Sequence, residues 1–264
     1  MIRLLKGMVA LVLVFALATT AYLFTSWQSD NAEITAYFSS SFSGDVVRAS
    51  DVDALMSQVY FKEGFGNSGA YFFLQRLGPT PHQVMQLGGD CSEKSRLVAT
   101  VLKERGVDAT LVMLASCDGC EFGHTVVEAN TVDGPIVVDP VYNMSFPKGD
   151  GSYYSVLELR ADPSLLPGRL EELIAERGEE DKIAFYRAGA DGVHYGAPKT
   201  INLEKNGVLR GVKQLISMFS DEPQLVYRPR ILEDPKLFLL TASTGTSLFF
   251  LTLYLLLRWL DRRR

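Results

Sequence analysis

Two apolar runs bracket the chain. Gly7 to Trp27 carries no charged residue, and neither does Leu237 to Leu257. Each is 21 residues long, close to the roughly 20 that an α-helix needs to cross the hydrocarbon core of a bilayer. Between them, residues 28–49 are polar and Ser-rich and read as a linker entering a domain over 50–222. A Pro-punctuated juxtamembrane linker over 223–236 follows (Pro223, Pro229, Pro235), and the second apolar run extends over 237–258. Ser50-Asp51-Val52-Asp53 supplies a cap and an acidic first turn for a helix through Tyr60. Gly64, Gly66 and Gly69 break the chain, and Tyr71-Phe72-Phe73-Leu74 is an apolar cluster expected inside. Thr80-Pro81 starts a further helix with Pro at its first position.

The next helix begins at Cys91. Val98 and Leu102, with Leu97 and Val101 beside them, form the apolar stripe of an amphipathic helix. Gly106 is placed to end it in a left-handed cap, covered by Val107. Apolar β-branched runs then predict strands over 109–115, 123–129 and 135–139. Helices followed by an antiparallel meander suggest an α+β domain with its helices on one sheet face. Residues 153–159 read as a strand or short helix, Leu170 to Glu180 as a charged helix solvated on one face, and Val208 to Phe219 as an amphipathic helix.

Charge orients the anchors. Arg3 and Lys6 precede the first run, and Arg258, Arg262, Arg263 and Arg264 follow the second. The positive-inside rule puts both termini in the cytoplasm and the central domain outside the inner (plasma) membrane, in the periplasm or its equivalent. Ala16-Leu17-Ala18 also fits a signal-peptidase site, but apolar character continues through Phe24, as in an uncleaved anchor. Without its ends the formal charge falls from −5 to −10, with 20 basic and 30 acidic residues left. Such a domain repels phosphate backbones, which excludes nucleic acid as a partner. The bilayer is one expected partner.

The candidate chemistry starts at Gly88-Gly89-Asp90-Cys91-Ser92-Glu93. Asp90 is a predicted N-cap, and Glu93 reaches back to complete a capping box. Cys91 then opens the helix, where free N–H groups and the macrodipole favour a thiolate, the form that attacks a carbonyl. Such a nucleophile needs a base and an orienter. His124 begins one strand and Asp139 ends the next. A four-residue loop over Asn130 to Asp133, pairing Ala129 with Gly134, sets His124 opposite Asp139. A two-residue loop at Asp133-Gly134 sets Asp139 opposite Glu128 instead. The first register is expected, because only it directly pairs the two residues.

Three blocks carry a resemblance: Gly89-Asp90-Cys91-Ser92-Glu93-Lys94-Ser95-Arg96-Leu97 running on to Ala109, His124-Thr125-Val126-Val127-Glu128, and Val138-Asp139-Pro140. Together they resemble the transglutaminase-like superfamily, of papain-like fold, in a membrane-anchored bacterial form. The resemblance spans roughly residues 80 to 145. It implies Cys91 as nucleophile, His124 as general base and acid, and Asp139 as the residue orienting the imidazole. The activity implied is a cysteine protease, amidase or acyltransferase, a hydrolase or transferase working through a thioester. Anchored relatives of this kind resemble cell-envelope proteins, some linked to surface polysaccharide assembly. The chemistry and the resemblance thus imply, beside the bilayer, a protein or peptide substrate and envelope or polysaccharide-assembly proteins as partners. Val126 stands where many members carry an aromatic, so the acyl-acceptor side of the cleft departs from the pattern. The backbone N–H of Cys91 is one candidate oxyanion donor; the second is unassigned, and Gln83 and Gln86, which could offer a carboxamide, read first as ordinary surface glutamines.

Of the three cysteines, Cys117 and Cys120 are expected to form a structural disulfide in an oxidising compartment, leaving Cys91 as the thiol. A zinc site needs four ligands and no second Cys pair exists, so no metal and no cofactor are expected. His194 reads as a loop histidine. Two rival readings stand beside the enzyme: a catalytically silent scaffold organising envelope proteins, and a thiol-redox protein using Cys117 and Cys120.

Overall fold

The computed structural model describes residues 2–60, 77–115, 122–178 and 195–263. The Tyr71–Leu74 cluster, the Cys117/Cys120 pair and His194 lie outside the described residues. The architecture is α+β. Helices α1 (Ile2–Tyr37), α2 (Ala49–Tyr60), α3 (Pro81–Leu87) and α4 (Cys91–Glu104) precede strands β1 (Asp108–Ala115), β2 (Phe122–Thr131), β3 (Gly134–Asp139) and β4 (Met144–Ser145). Helices α5 (Val156–Ala161), α6 (Leu165–Arg177), α7 (Gly207–Ile216) and α8 (Pro235–Arg262) follow. The four strands form one antiparallel meander in chain order.

The terminal helices α1 and α8 are long and apolar enough to cross a membrane. They lie side by side and antiparallel. Lys6 pairs with Asp261 at one end, and the Lys236 ammonium meets Ser26 Oγ at 2.7 Å and the Asp30 carboxylate at the other. Midway, Thr20 Oγ1 lies 2.7 Å from Ser243 Oγ and 3.3 Å from Ser247 Oγ. Both chain ends therefore sit at the same end of the pair. Helix α1 does not stop where the apolar run does. Residues 28–37, polar enough to read as linker, continue it, because Asn31, Ile34 and Phe38 recur at helical spacing and are buried. Ile34 and Phe38 belong to the same core as α2, α3 and α4.

The sheet is covered on both faces, not on one as the element order suggests. Ala109, Leu111, Val127, Ala129, Ile136 and Val138 face the core shared with α1 to α4. Val112, Leu114, Val126 and Val137 face a second core with Val156 and Leu159 of α5 and Leu166, Leu170 and Leu173 of α6. Strands buried on both sides read as continuous apolar runs rather than alternating ones, as Leu111-Val112-Met113-Leu114 and Ile136-Val137-Val138 do.

The β2–β3 register differs from the four-residue loop expected. Thr131 pairs with Gly134 and Val127 with Val138, so the loop is the two residues Val132-Asp133, and continuing the ladder puts Asp139 across from Val126. Each register considered from sequence differs from this one by two residues, one in either direction. The turn is held locally by the Asp133 N–H to Thr131 Oγ1 (3.2 Å) and by the Thr131 hydroxyl to Gly134 O (2.8 Å). It is also held at long range, because Asp133 Oδ2 accepts the Ala49 N–H at 3.1 Å and caps α2. The stretch 223–236 is packed rather than extended. The Arg228 guanidinium reaches the fully buried Glu233 carboxylate at 3.0 Å, Lys103 of α4 donates to Arg228 O at 2.8 Å, and Arg230 pairs with Glu104. The entry to α8 is thus fastened to the outer side of α4.

Candidate active site

Helix α4 begins as its sequence predicts. Asp90 Oδ1 accepts the Glu93 N–H at 2.9 Å, and Glu93 Oε2 accepts the Asp90 N–H at 3.0 Å, so Cys91 occupies the first helical position. The two preceding glycines have separate causes. Gly88 adopts φ 79°, ψ −167°, a region open essentially to glycine alone. At Gly89 a Cβ would lie 2.6 Å from Glu93 Oε2 and 2.7 Å from Glu93 Cβ, so the capping box itself requires its absence. The helix ends in a Schellman motif, with Val107 N–H to Leu102 O (3.0 Å), Gly106 N–H to Lys103 O (3.1 Å) and Gly106 at φ 75°.

Cys91 carries a free, half-buried thiol. The body of α4 packs in the first core, whereas its first residue packs against the second. His124 and Asp139 lie on that second-core face of the sheet, since side chains alternate along a strand and Val126 and Val137 are their same-face neighbours. The three predicted residues are brought together. His124 Nε2 lies 2.6 Å from Asp139 Oδ2, both side chains being buried. The contact is diagonal across the two strands, within reach for residues offset by two. The Cys91 thiol is the second hydrogen-bond partner of the imidazole. With Nε2 engaged by the carboxylate, Nδ1 is the ring nitrogen left for sulfur. Ser95, one turn into α4, donates its hydroxyl to Thr125 O at 3.0 Å and locks the helix to β2 beside His124.

The electrostatics follow from this arrangement. Burial alone would lower the His124 pKa, but the charge and hydrogen bond of Asp139, reinforced by Cys91, outweigh it and raise the value to about 10. Asp139 is itself anchored, its Oδ1 accepting the N–H groups of Val141 (2.9 Å) and Tyr142 (3.2 Å). The Tyr142 ring lies over the imidazole at 5.4 Å between centroids, tilted by 60°. Burial, then the negative charges of Asp139 and Cys91, raise the Tyr142 pKa. The turn after Asp139 includes Asn143 at φ 50°, and Asn143 Oδ1 accepts the Ser57 hydroxyl at 2.8 Å.

Sequence reasoning missed two supports. Arg177 donates to Tyr142 O at 3.1 Å and Asn143 O at 2.9 Å, and Arg169 donates to Ser145 O at 2.8 Å. These arginines of α6, read as part of a solvated face, clamp the turn that carries Asp139. Their spacing of eight residues, two helical turns, puts both on one face and is the only local signal of a shared target. Gln83 and Gln86 are not brought to the thiol among the described hydrogen bonds. Gln83 Oε1 accepts the Thr80 N–H at 2.9 Å in the capping box of α3, and Gln86 Nε2 lies 3.2 Å from His82 Nε2.

Chemically, the set holds a thiol at a helix start, a buried protonated imidazole beside it and a fixed carboxylate behind that. It can supply a nucleophile and return a proton to a leaving group on the same side. Comparison with protein-family models, with curated proteins and with solved structures finds no match to this chain.

Proposed function

We propose that the chain is a membrane-anchored cysteine hydrolase or acyltransferase of transglutaminase-like type, acting on amide bonds. Cys91 Sγ, as the thiolate paired with the protonated His124, attacks the amide carbonyl carbon, the C–N bond breaks, and the leaving nitrogen takes the proton from His124, which becomes neutral. The product is a thioester on Cys91. Water or a second amine then attacks that carbonyl, gives its proton to His124, and releases the acyl group from sulfur. Asp139 keeps the imidazole oriented and charged during the first half. The observation that carries this reading is the buried His124–Asp139 bond of 2.6 Å with the Cys91 thiol on the other side of the same ring.

The basic flanks of the two anchors favour cytoplasmic termini and an exported domain. Their convergence at one end of the α1–α8 pair puts the two flanks on the same side, as that orientation requires. Substrates in the cell envelope, including those of surface polysaccharide assembly, fit such a location. The test is alkylation of Cys91 by iodoacetamide in native membranes at about pH 7, read by mass spectrometry of the Cys91 peptide. Fast labelling that falls at least tenfold in His124→Ala is expected. Equal rates in the two proteins would overturn the enzyme reading in favour of a silent scaffold.

A further inference from the structure

Helix α7 buries none of its residues. Val208 is 79% exposed and Leu215 59%, and in the turn that continues the helix Met218 is 74% and Phe219 84% exposed. Backbone bonds from Met218 to Leu215 O and from Phe219 to Ile216 O carry the helical path to that turn. At about 100° per residue, Val208, Leu209, Val212, Leu215, Ile216 and Phe219 fall within an arc of about 120°. Arg210, Lys213, Gln214 and Ser217 occupy the opposite side. From Lys205 to Ser220 there are three basic residues and no acidic one, and Lys213 meets Glu204 just outside that stretch at 2.6 Å.

An apolar face of this kind, backed by basic residues, is the pattern of a helix lying in a membrane interface. Three observations favour a bilayer over a protein as its cover. The same chain carries two helices long and apolar enough to span one. Segment 200–226 is closed at its base, where Thr200 donates to Gln224 O (2.8 Å) and Val226 O, so α7 lies on an excursion whose return runs through residues 227–234 to α8. Helix α7 itself carries Arg210 and Lys213 and no acidic residue, in a domain that is acidic as a whole, as an anionic lipid surface favours. We propose that α7 rests on an anionic lipid surface, with Val208, Val212, Leu215 and Phe219 among the upper acyl carbons and Arg210 and Lys213 toward the headgroups. This rests on the reading that α1 and α8 span the same bilayer.

The test uses the full chain in lipid nanodiscs. Trp27 and Trp259, the only native tryptophans, report the anchors, and Leu215→Trp, Phe219→Trp and Ser217→Trp report the two sides of α7. Native emission quenched by brominated acyl chains establishes the anchors; native emission that is unquenched overturns their spanning, and this proposal with it. Once the anchors are established, added emission at 215 and 219 is expected to be quenched by bromines near the headgroups, several-fold more than at 217. Equal quenching at all three, or none, overturns the placement. Blue-shifted emission without bromolipid quenching assigns the face to a second copy or another protein and also overturns it. Replacing Arg210 and Lys213 by Gln is expected to weaken the association about fivefold per charge, and no change in neutral against anionic discs would refute the electrostatic part.

Discussion

Asp139→Asn isolates the one charge on which the site depends. The substitution keeps the volume of a fully buried side chain, and its amide oxygen can still accept the N–H groups of Val141 and Tyr142. What is lost is the negative charge 2.6 Å from His124 Nε2. In the native protein that charge overcomes burial and raises the imidazole pKa from the ordinary 6.5 to about 10. Without it burial is left as the main influence, and His124 should titrate near or below about 6.5. The sign for stability follows. A group whose folded-state pKa is raised contributes fully below its unfolded value, near 6.5, and loses that contribution as pH rises through about 10. Native protein should therefore be destabilised progressively across that alkaline interval, and the Asn variant should show no such dependence. Asp139→Ala goes further, because it also strands two N–H groups, and should cost about 3–5 kcal/mol, the range for breaking a buried pair. The assay is NMR of ring-labelled histidine in nanodiscs, feasible because the chain has three histidines that single substitutions assign. In the Asn variant the ring at about pH 7 should be neutral and in the wrong tautomer, with turnover lower by about 10⁴ if it behaves as other triads do. A native His124 that titrates near 6.5, or one unmoved by Asp139→Asn, would refute the reasoning.

Gly89→Ala should destabilise the domain by about 1–2 kcal/mol, the worth of a helix cap, because the new Cβ would meet Glu93 at 2.6–2.7 Å; thermal unfolding reads the cost, and an unchanged midpoint would count against the close approach. In the anchors, Thr20→Val combined with Ser243→Val should weaken the α1–α8 pair by about 1 kcal/mol or less. A double-mutant cycle in lipid with zero coupling would show that the 2.7 Å hydroxyl contact does not hold the pair together.

What the sequence disclosed depended on range. The capping box of Asp90 and Glu93 and the Schellman end at Gly106 were legible because each is settled within six residues. The triad was legible from parity, since every even shift of β2 against β3 keeps His124 and Asp139 on one face. The register was not, because the turn is tied to α2 by Asp133 accepting the Ala49 N–H, 84 residues away in sequence. The expected direct pairing was too strict: the two side chains meet diagonally, at 2.6 Å. Residues 28–37 were misread because their two buried positions, Asn31 and Ile34, with Phe38 just beyond, are few among polar neighbours. The second cover of the sheet was visible in the unbroken apolar strands, but the element order spoke against it. Arg169 and Arg177 could not be told from solvated charge, because their partners are backbone carbonyls, which leave no mark in a sequence.

The unbroken path of α1 has a consequence for encounter. A span of about 20 residues uses a little over half of its 36, and the remaining turns pass rigidly into the core beside the helices that carry Cys91. A domain on a flexible tether sweeps a hemisphere, whereas one mounted on a continuous rod, with Arg228 and Arg230 bracing the other anchor, is held at a set height and tilt. With α1 and α8 spanning a bilayer as proposed, its search for substrate becomes two-dimensional. Under the proposed function, substrates resident in the same membrane meet it at high effective concentration, and freely diffusing ones must first enter a thin slab above the lipid.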